Sequence, residues 1–359
     1  MLIVRDRMGL EPNYSKTVSE VYQDVWLRHI DKKWSLNLLA DAGITKEEDW
    51  PTWVPNWSIP RTSARRLTGW CGGSESLPVT EFKDGELSVT GVSVTSIKLV
   101  VPFYKWNTSA DQRIRELEIV FSDCGFTSQL FYDSAQIRAI CETLCSNNFS
   151  ESHRPRNSEF PTLQKAERVV RRILTSQYAI FEGINDTGEL NFLLRASVTC
   201  NGRAFVILDN GHIGLAPSSA QVGDIMTVML GFDPAIVLRP IRNGTYKVVG
   251  EGYCQGVMSG EALLGPLPGN FRIVRKWYTN GTATWAYYDG DSGIIQAEDP
   301  RLGPLPVAWK RKSHHSEKRW TWYVNDETGE EFKHQEGDPR LTPTALKEMG
   351  VDLKVFRLV

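Results

Sequence analysis

The sequence predicts an α+β protein with a helix-containing N-terminal half, a small antiparallel β-barrel and a duplicated β-hairpin tail. Three observations carry this expectation. Apolar residues recur at helical spacing only in the first half. Short β-rich runs divided by Gly, Asn, Asp and Pro follow Arg203. An aromatic hairpin ending in Asp-Pro-Arg-Leu occurs twice near the C-terminus. The expected divisions are a mixed α/β body over 1–200, a barrel over 201–270 and a duplicated tail over 271–359.

Val18, Val21, Tyr22, Val25, Trp26 and Ile30 fall on one helical face, and Thr17 with Glu20 forms a capping box at its start. Trp50-Pro51-Thr52-Trp53-Val54-Pro55-Asn56-Trp57 follows, and its prolines exclude a helix interior, leaving indoles on an extended segment. After an Asp84-Gly85 turn, the alternation of Leu87, Val89, Val92, Val94 and Ile97 predicts two strands within 86–101. Helical spacing returns over 134–146 and 163–174, separated by a polar stretch at 147–157 that reads as a surface loop. Strands are expected at 204–208, 225–230, 235–238 and 246–249, and their pattern of turns is that of a small barrel.

Composition excludes several function classes. The 359 residues carry 41 Lys+Arg against 43 Asp+Glu, so no general basic surface exists to select nucleic acid or an anionic membrane. The apolar stretches are far shorter than the ~20 residues of a membrane helix, and charge at Arg5-Asp6-Arg7 interrupts any export signal, so a cytoplasmic location is expected. On that expectation the seven Asn-x-Ser/Thr triplets are chance matches. The six cysteines lack metal-site spacing and read as buried thiols, and neither a metal nor a cofactor is expected. Gly252-Tyr253-Cys254-Gln255-Gly256 has the spacing of a nucleophile elbow, without room for the long helix that must follow one. Asp289-Gly290-Asp291-Ser292-Gly293 lacks the later acidic ligand of a calcium loop and reads as a hairpin turn, and the Lys310-Arg311-Lys312 run reads as a solvated loop.

In the tail, Trp285-Ala286-Tyr287-Tyr288 leads to Asp299-Pro300-Arg301-Leu302, and Trp320-Thr321-Trp322-Tyr323 leads to Asp338-Pro339-Arg340-Leu341. With Leu305-Pro306, Trp309 and Asn325, the second copy resembles a WW module, which implies a proline-rich peptide as a partner. It departs from that pattern at Phe332-Lys333-His334, where a second tryptophan should stand, so packing against the body is the alternative.

Seven segments in one order resemble the region that follows the HET (heterokaryon incompatibility) domain in fungal HET-domain proteins. They are Gly9-Leu10-Glu11-Pro12-Asn13-Tyr14-Ser15-Lys16-Thr17-Val18, Glu20-Val21-Tyr22, Trp53-Val54-Pro55-Asn56-Trp57-Ser58, Val222-Gly223-Asp224-Ile225, Val237-Leu238-Arg239-Pro240, Tyr246-Lys247-Val248-Val249-Gly250-Glu251 and Gly256-Val257-Met258-Ser259-Gly260-Glu261-Ala262. Only eight residues precede Gly9, so the HET domain itself is expected to be missing.

HET-like proteins of this truncated kind include one that forms a norbornene by Diels-Alder cyclisation in fungal diterpenoid biosynthesis. That resemblance implies a cofactor-independent pericyclase acting on an apolar, diene-bearing terpenoid. Such an enzyme folds its substrate into the reactive conformer and activates the dienophile by a hydrogen bond. The candidate wall residues are Trp26, Trp53, Trp57, Tyr104 and Trp106, and the candidate donors are His29, Tyr22 and Arg239. The competing expectation is a non-enzymatic interaction module derived from an incompatibility protein, using the barrel or the WW-like tail.

Overall fold

The computed structural model describes residues 13–45, 47, 49–60, 66–72, 76–104, 109–126, 133–175, 186–314, 320–332 and 337–359. Trp106, the Gly9 to Pro12 part of the resemblance, and Lys333 and His334 lie outside the described residues.

Helix and antiparallel sheet are mixed, as expected. Helix α1 (Val18–Lys33) begins at the Thr17–Glu20 capping box and ends where Trp34 turns left-handed, at φ 50 and ψ 44. Strand β1 (Thr80–Lys83) turns through Asp84 and Gly85, both at positive φ, into β2 (Glu86–Pro102). The two strands expected within 86–101 are therefore a single one. Its register shifts between Ser93 and Thr95 and between Ile97 and Leu99, and these bulges bend one strand between successive partners. Helices α2 (Ala110–Asp123), α3 (Ser134–Cys145), α4 (Leu163–Leu174) and α5 (Thr187–Cys200) follow.

Strands β4 (Arg203–Leu208), β5 (Ile213–Pro217), β6 (Ile225–Met229), β7 (Ala235–Pro240) and β8 (Thr245–Cys254) complete the main sheet, β3 (His153–Arg154) belonging to the tail sheet described below. Their ladders run β2–β4–β5–β8–β7–β6 and return from β6 to β2, a closed cycle of antiparallel pairs. β2 lies outside the 201–270 stretch to which the sequence assigned this sheet, because only a long strand can pair with both β4 and β6. Gly91 permits the approach to β6, since a Cβ there would stand 2.3 Å from the Val228 carbonyl oxygen.

Alternation along β6 and β7 divides two cores. Val228 and Val237 join the apolar faces of α2 to α5, while Met229, Ile236 and Leu238 meet Trp26, Ile30, Trp50 and Trp53. Between β4 and β8, Arg203 forms an ion pair with Glu251, and both side chains are buried. Arg203 also donates to the Thr199 carbonyl and Glu251 accepts the Leu67 N–H at 3.3 Å, so one pair ties α5, two strands and a loop together.

After α6 (Glu261–Leu264), β9 (Phe271–Trp277), β10 (Ala283–Asp289) and β11 (Ile295–Gln296) form an antiparallel meander, and β12 (Trp309–His314), β13 (Trp320–Asn325) and β14 (Glu331–Phe332) form another. The 289–293 segment is the hairpin turn that the sequence implied, with Asp289 Oδ2 accepting the Ser292 hydroxyl at 2.6 Å. The tail then leaves the duplicated pattern. Helix α7 (Pro343–Glu348) leads into β15 (Leu353–Leu358), which rejoins the main sheet antiparallel to β2 and parallel to β8. The 147–157 stretch is also more than a surface loop, because β3 pairs with β9 and His153 is wholly buried.

Two outcomes follow from charged groups of the main sheet, Glu251 on β8 and Asp233 in the connection from β6 to β7. Glu251→Ala strands the Arg203 guanidinium and should lower unfolding free energy by about 3–5 kcal/mol, read from urea denaturation. Asp233 behaves oppositely to most carboxylates: burial pushes it up to about 6, against the hydrogen bond from Asn37, which lowers it. The native state thus holds this proton more tightly than the unfolded chain, where Asp titrates near ~3.9. Its stabilising contribution is present below about pH 4 and is lost as pH rises through about 6. Asp233→Asn should flatten the stability profile across that window.

Candidate functional site

Most of the sequence-chosen aromatic residues meet where α1 packs on the Trp-Pro segment. Helical spacing places Tyr22, Trp26 and His29 along α1, and Pro51 and Pro55 hold the opposing chain extended. Trp50 Nε1 donates to the Val54 carbonyl at 2.8 Å and closes that segment on itself. Thr52 fixes it to the sheet: its N–H donates to the Val359 carbonyl at 3.1 Å, and its hydroxyl oxygen accepts the Val248 N–H at 2.8 Å.

Tyr22 meets two indoles edge to face, and Trp26 and His29 pack at a tilt of 38°. Tyr22 lies 5.0 Å from Trp57 and 5.9 Å from Trp50, centroid to centroid, and Trp26 lies 5.9 Å from His29. Trp26 and Trp53 are fully buried in one core with Val54, whereas Trp57 is 39% exposed at the rim. Burial, and then the neighbouring Lys33 charge, lower the affinity of His29 for a proton. This imidazole is therefore held toward its neutral form.

Three polar atoms stand out in this region. Trp26 Nε1, Trp53 Nε1 and Asn56 Nδ2 are buried without a hydrogen-bond partner. All are donors, so the group that would satisfy them is an acceptor such as a carbonyl oxygen. Both indoles are legible in the sequence as apolar walls, whereas the only local signal for Asn56 is its place between Pro55 and Trp57.

The other candidates lie elsewhere. Tyr104 is 76% exposed beyond β2, where its N–H donates to Glu116 of α2. Arg239 on β7 is held by Asp224 through contacts of 2.8 and 2.9 Å and also donates to the Ser219 carbonyl. Its guanidinium is committed to closing the β5–β6 connection.

All six thiols are free, and every one but Cys124 is buried. Burial, with Glu261 nearby, pushes Cys254 up to about 12, so the elbow-like stretch holds a neutral thiol rather than a thiolate. Among the described residues, no group of three or more His, Cys, Asp or Glu side chains is placed to hold a metal. No helix among them is long and apolar enough to cross a membrane.

The tail carries a lock that the sequence showed only as a repeated motif. Tyr287 donates its hydroxyl proton to Asp299 at 2.7 Å, and Tyr323 donates to Asp338 at 3.0 Å. Each aspartate is gripped by the arginine two residues on, Arg301 or Arg340. These arginines reach back to the carbonyls of Gly265 and Gly303, both at 2.6 Å. Each glycine opens a Gly-Pro-Leu-Pro stretch, so the duplication begins earlier than the aromatic hairpins reveal.

Residues 185–266, which hold α5, β4 to β8 and α6, match the Het-6 beta-barrel domain. Heterokaryon incompatibility protein 6, OR allele, of Neurospora crassa is 38% identical over 316 residues, covering 71% of the chain. The chain spans about half of that curated relative, 46% of its length. No solved structure matches the chain. The matched segment and the extended similarity relate this chain to the fungal heterokaryon incompatibility proteins.

Proposed function

We propose that the chain is a non-enzymatic recognition module of the heterokaryon incompatibility type, binding a protein partner through its tail. The observation that carries this reading is the similarity to a heterokaryon incompatibility protein over 71% of the chain. The tail supplies a suitable surface. In the second meander Tyr323 and Val324 are buried while Trp322 stays partly exposed, an arrangement of the WW-like kind. A proline-rich strand stacked on Trp322 is the peptide chemistry such a surface takes.

Titrating a proline-rich peptide into the full chain should quench tryptophan fluorescence, and Trp322→Ala should weaken binding by about tenfold, a loss of ~1.4 kcal/mol. Absence of saturable binding would sink the tail site.

A second reading is favoured by the unpartnered donors Trp26 Nε1, Trp53 Nε1 and Asn56 Nδ2. In it, the aromatic cluster binds an apolar diene with a carbonyl-bearing dienophile, and the donors stabilise charge developing on that oxygen during a stereoselective norbornene-forming Diels-Alder closure. No bond to the protein forms, since both new carbon–carbon bonds arise within the substrate. Incubation with a linear diene-bearing terpenoid distinguishes the readings. The recognition module gives the buffer rate and isomer mixture, whereas a pericyclase gives faster closure to one stereoisomer. In the latter case Trp57→Ala, at the exposed rim, should slow closure while the protein stays folded. Trp53→Ala is the poorer probe, because emptying so buried a site costs about 3–5 kcal/mol of stability.

A further inference from the structure

The sheet β11–β10–β9–β3 has two chemically different faces. Cross-strand register puts Arg275 beside Trp285 and His153 on one of them. That face meets the body, with Trp285 5.7 Å from Trp70 and Trp277 Nε1 donating to His153 Nδ1 at 2.9 Å. The same register assigns Arg272 and Tyr288, Val274 and Ala286, and Lys276 and Thr284 to the opposite face, with Arg154 of β3 beside Lys276. Val274 and Ala286 are buried as its floor, while Arg272, Thr284 and the neighbouring Tyr278 are exposed.

Cations converge on this second face. The guanidinium carbons of Arg154 and Arg272 stand 4.3 and 4.6 Å from the centroid of one ring, Tyr288, and Lys276 Nζ lies 5.6 Å from Tyr278. Arg154 donates to the carbonyl oxygens of Glu151 and His153 at 2.9 and 2.8 Å. Among the described residues, no carboxylate forms an ion pair with Arg154, Arg272 or Lys276. Burial first, then repulsion from Arg272, weakens the hold of Arg154 on its proton. Gathering like charges without a counter-charge is unfavourable, and an anion between them reverses the sign of the interaction.

We propose that this face, with Arg154 and Arg272 around Tyr288 and Lys276 farther along the same face beside Tyr278, binds a phosphorylated peptide segment of a protein partner. The cluster matches one dianion with several acceptor oxygens, which guanidinium forks grip through paired hydrogen bonds. It is too small to follow a nucleic-acid backbone, and a chain of net charge −2 adds no overall basic excess to it. The identity of the partner as a protein rests on the recognition reading, whereas the anion site stands on the sheet geometry alone. This site is separate from Trp322, so the two peptide-binding proposals can fail independently.

Fluorescence anisotropy of the full chain against labelled peptide pools with a central phosphoserine, phosphotyrosine or plain serine provides the test. A phosphorylated pool should bind at least about tenfold tighter than the serine pool and should weaken as salt rises. Arg272→Gln, at an exposed position, should remove that preference. Arg154→Lys should retain part of it, and Trp322→Ala should leave it intact. Equal affinity for phosphorylated and plain pools overturns the proposal, as does an unchanged preference in folded Arg272→Gln. Competition by inorganic phosphate without any peptide preference, or tighter binding of a single-stranded oligonucleotide, also overturns it.

Discussion

Strand β2 hydrogen-bonds to β1, β15, β6 and β4 along its length, and the cycle of the main sheet opens if it is removed. The constraint is the pairing of backbone groups in a buried sheet, where each unsatisfied N–H or C=O is costly. β6 and β4 would otherwise be edges facing apolar side chains. Two bulges let β2 bend from one to the other, and Gly91 lets it come close. The helices on one side and the Trp-Pro segment on the other then cover a surface whose shape this strand has set.

Closure of that sheet also explains how the tail is held. The chain leaves β8, builds two meanders and returns as β15 between β2 and β8. Both ends of the excursion are thereby anchored in one sheet. Within it, the Tyr–Asp–Arg locks bind each meander to the Gly-Pro-Leu-Pro stretch at its start. Aspartate buried beside arginine and a tyrosine hydroxyl keeps its charge compensated, so the motif is structural in both copies. The outward residues differ between the copies: Arg272 and Tyr288 in the first meander, Trp322 in the second.

The candidate sites were legible to different degrees. Tyr22, Trp26, His29, Trp53 and Trp57 could be grouped because a helical face and a proline-bound aromatic run both have local signatures. Tyr104 and Arg239 carry no such signature, and their positions depend on where β2 ends and how β7 pairs with its neighbours. Asn56 and the unpartnered indole donors emerge only when burial is known. The basic face at Tyr288 was hidden for another reason: Arg154 stands far from Arg272 in the chain, and a parallel pairing of two-residue β3 with β9 unites them.

By itself the sequence determined what local chemistry controls: the α1 capping box, the Asp84-Gly85 turn, the α3 and α4 helices, the strand-rich segment after Arg203 and the repeat in the tail. It missed α2 and α5, whose charged or β-branched residues blur the apolar stripe that packing reveals. Tertiary structure decided the rest. It made 86–102 one bent strand, buried His153 in a stretch that reads as loop, and sent β15 back into the main sheet. Each of these depends on hydrogen bonds between residues distant in the chain, which cannot be inferred from spacing within any one segment.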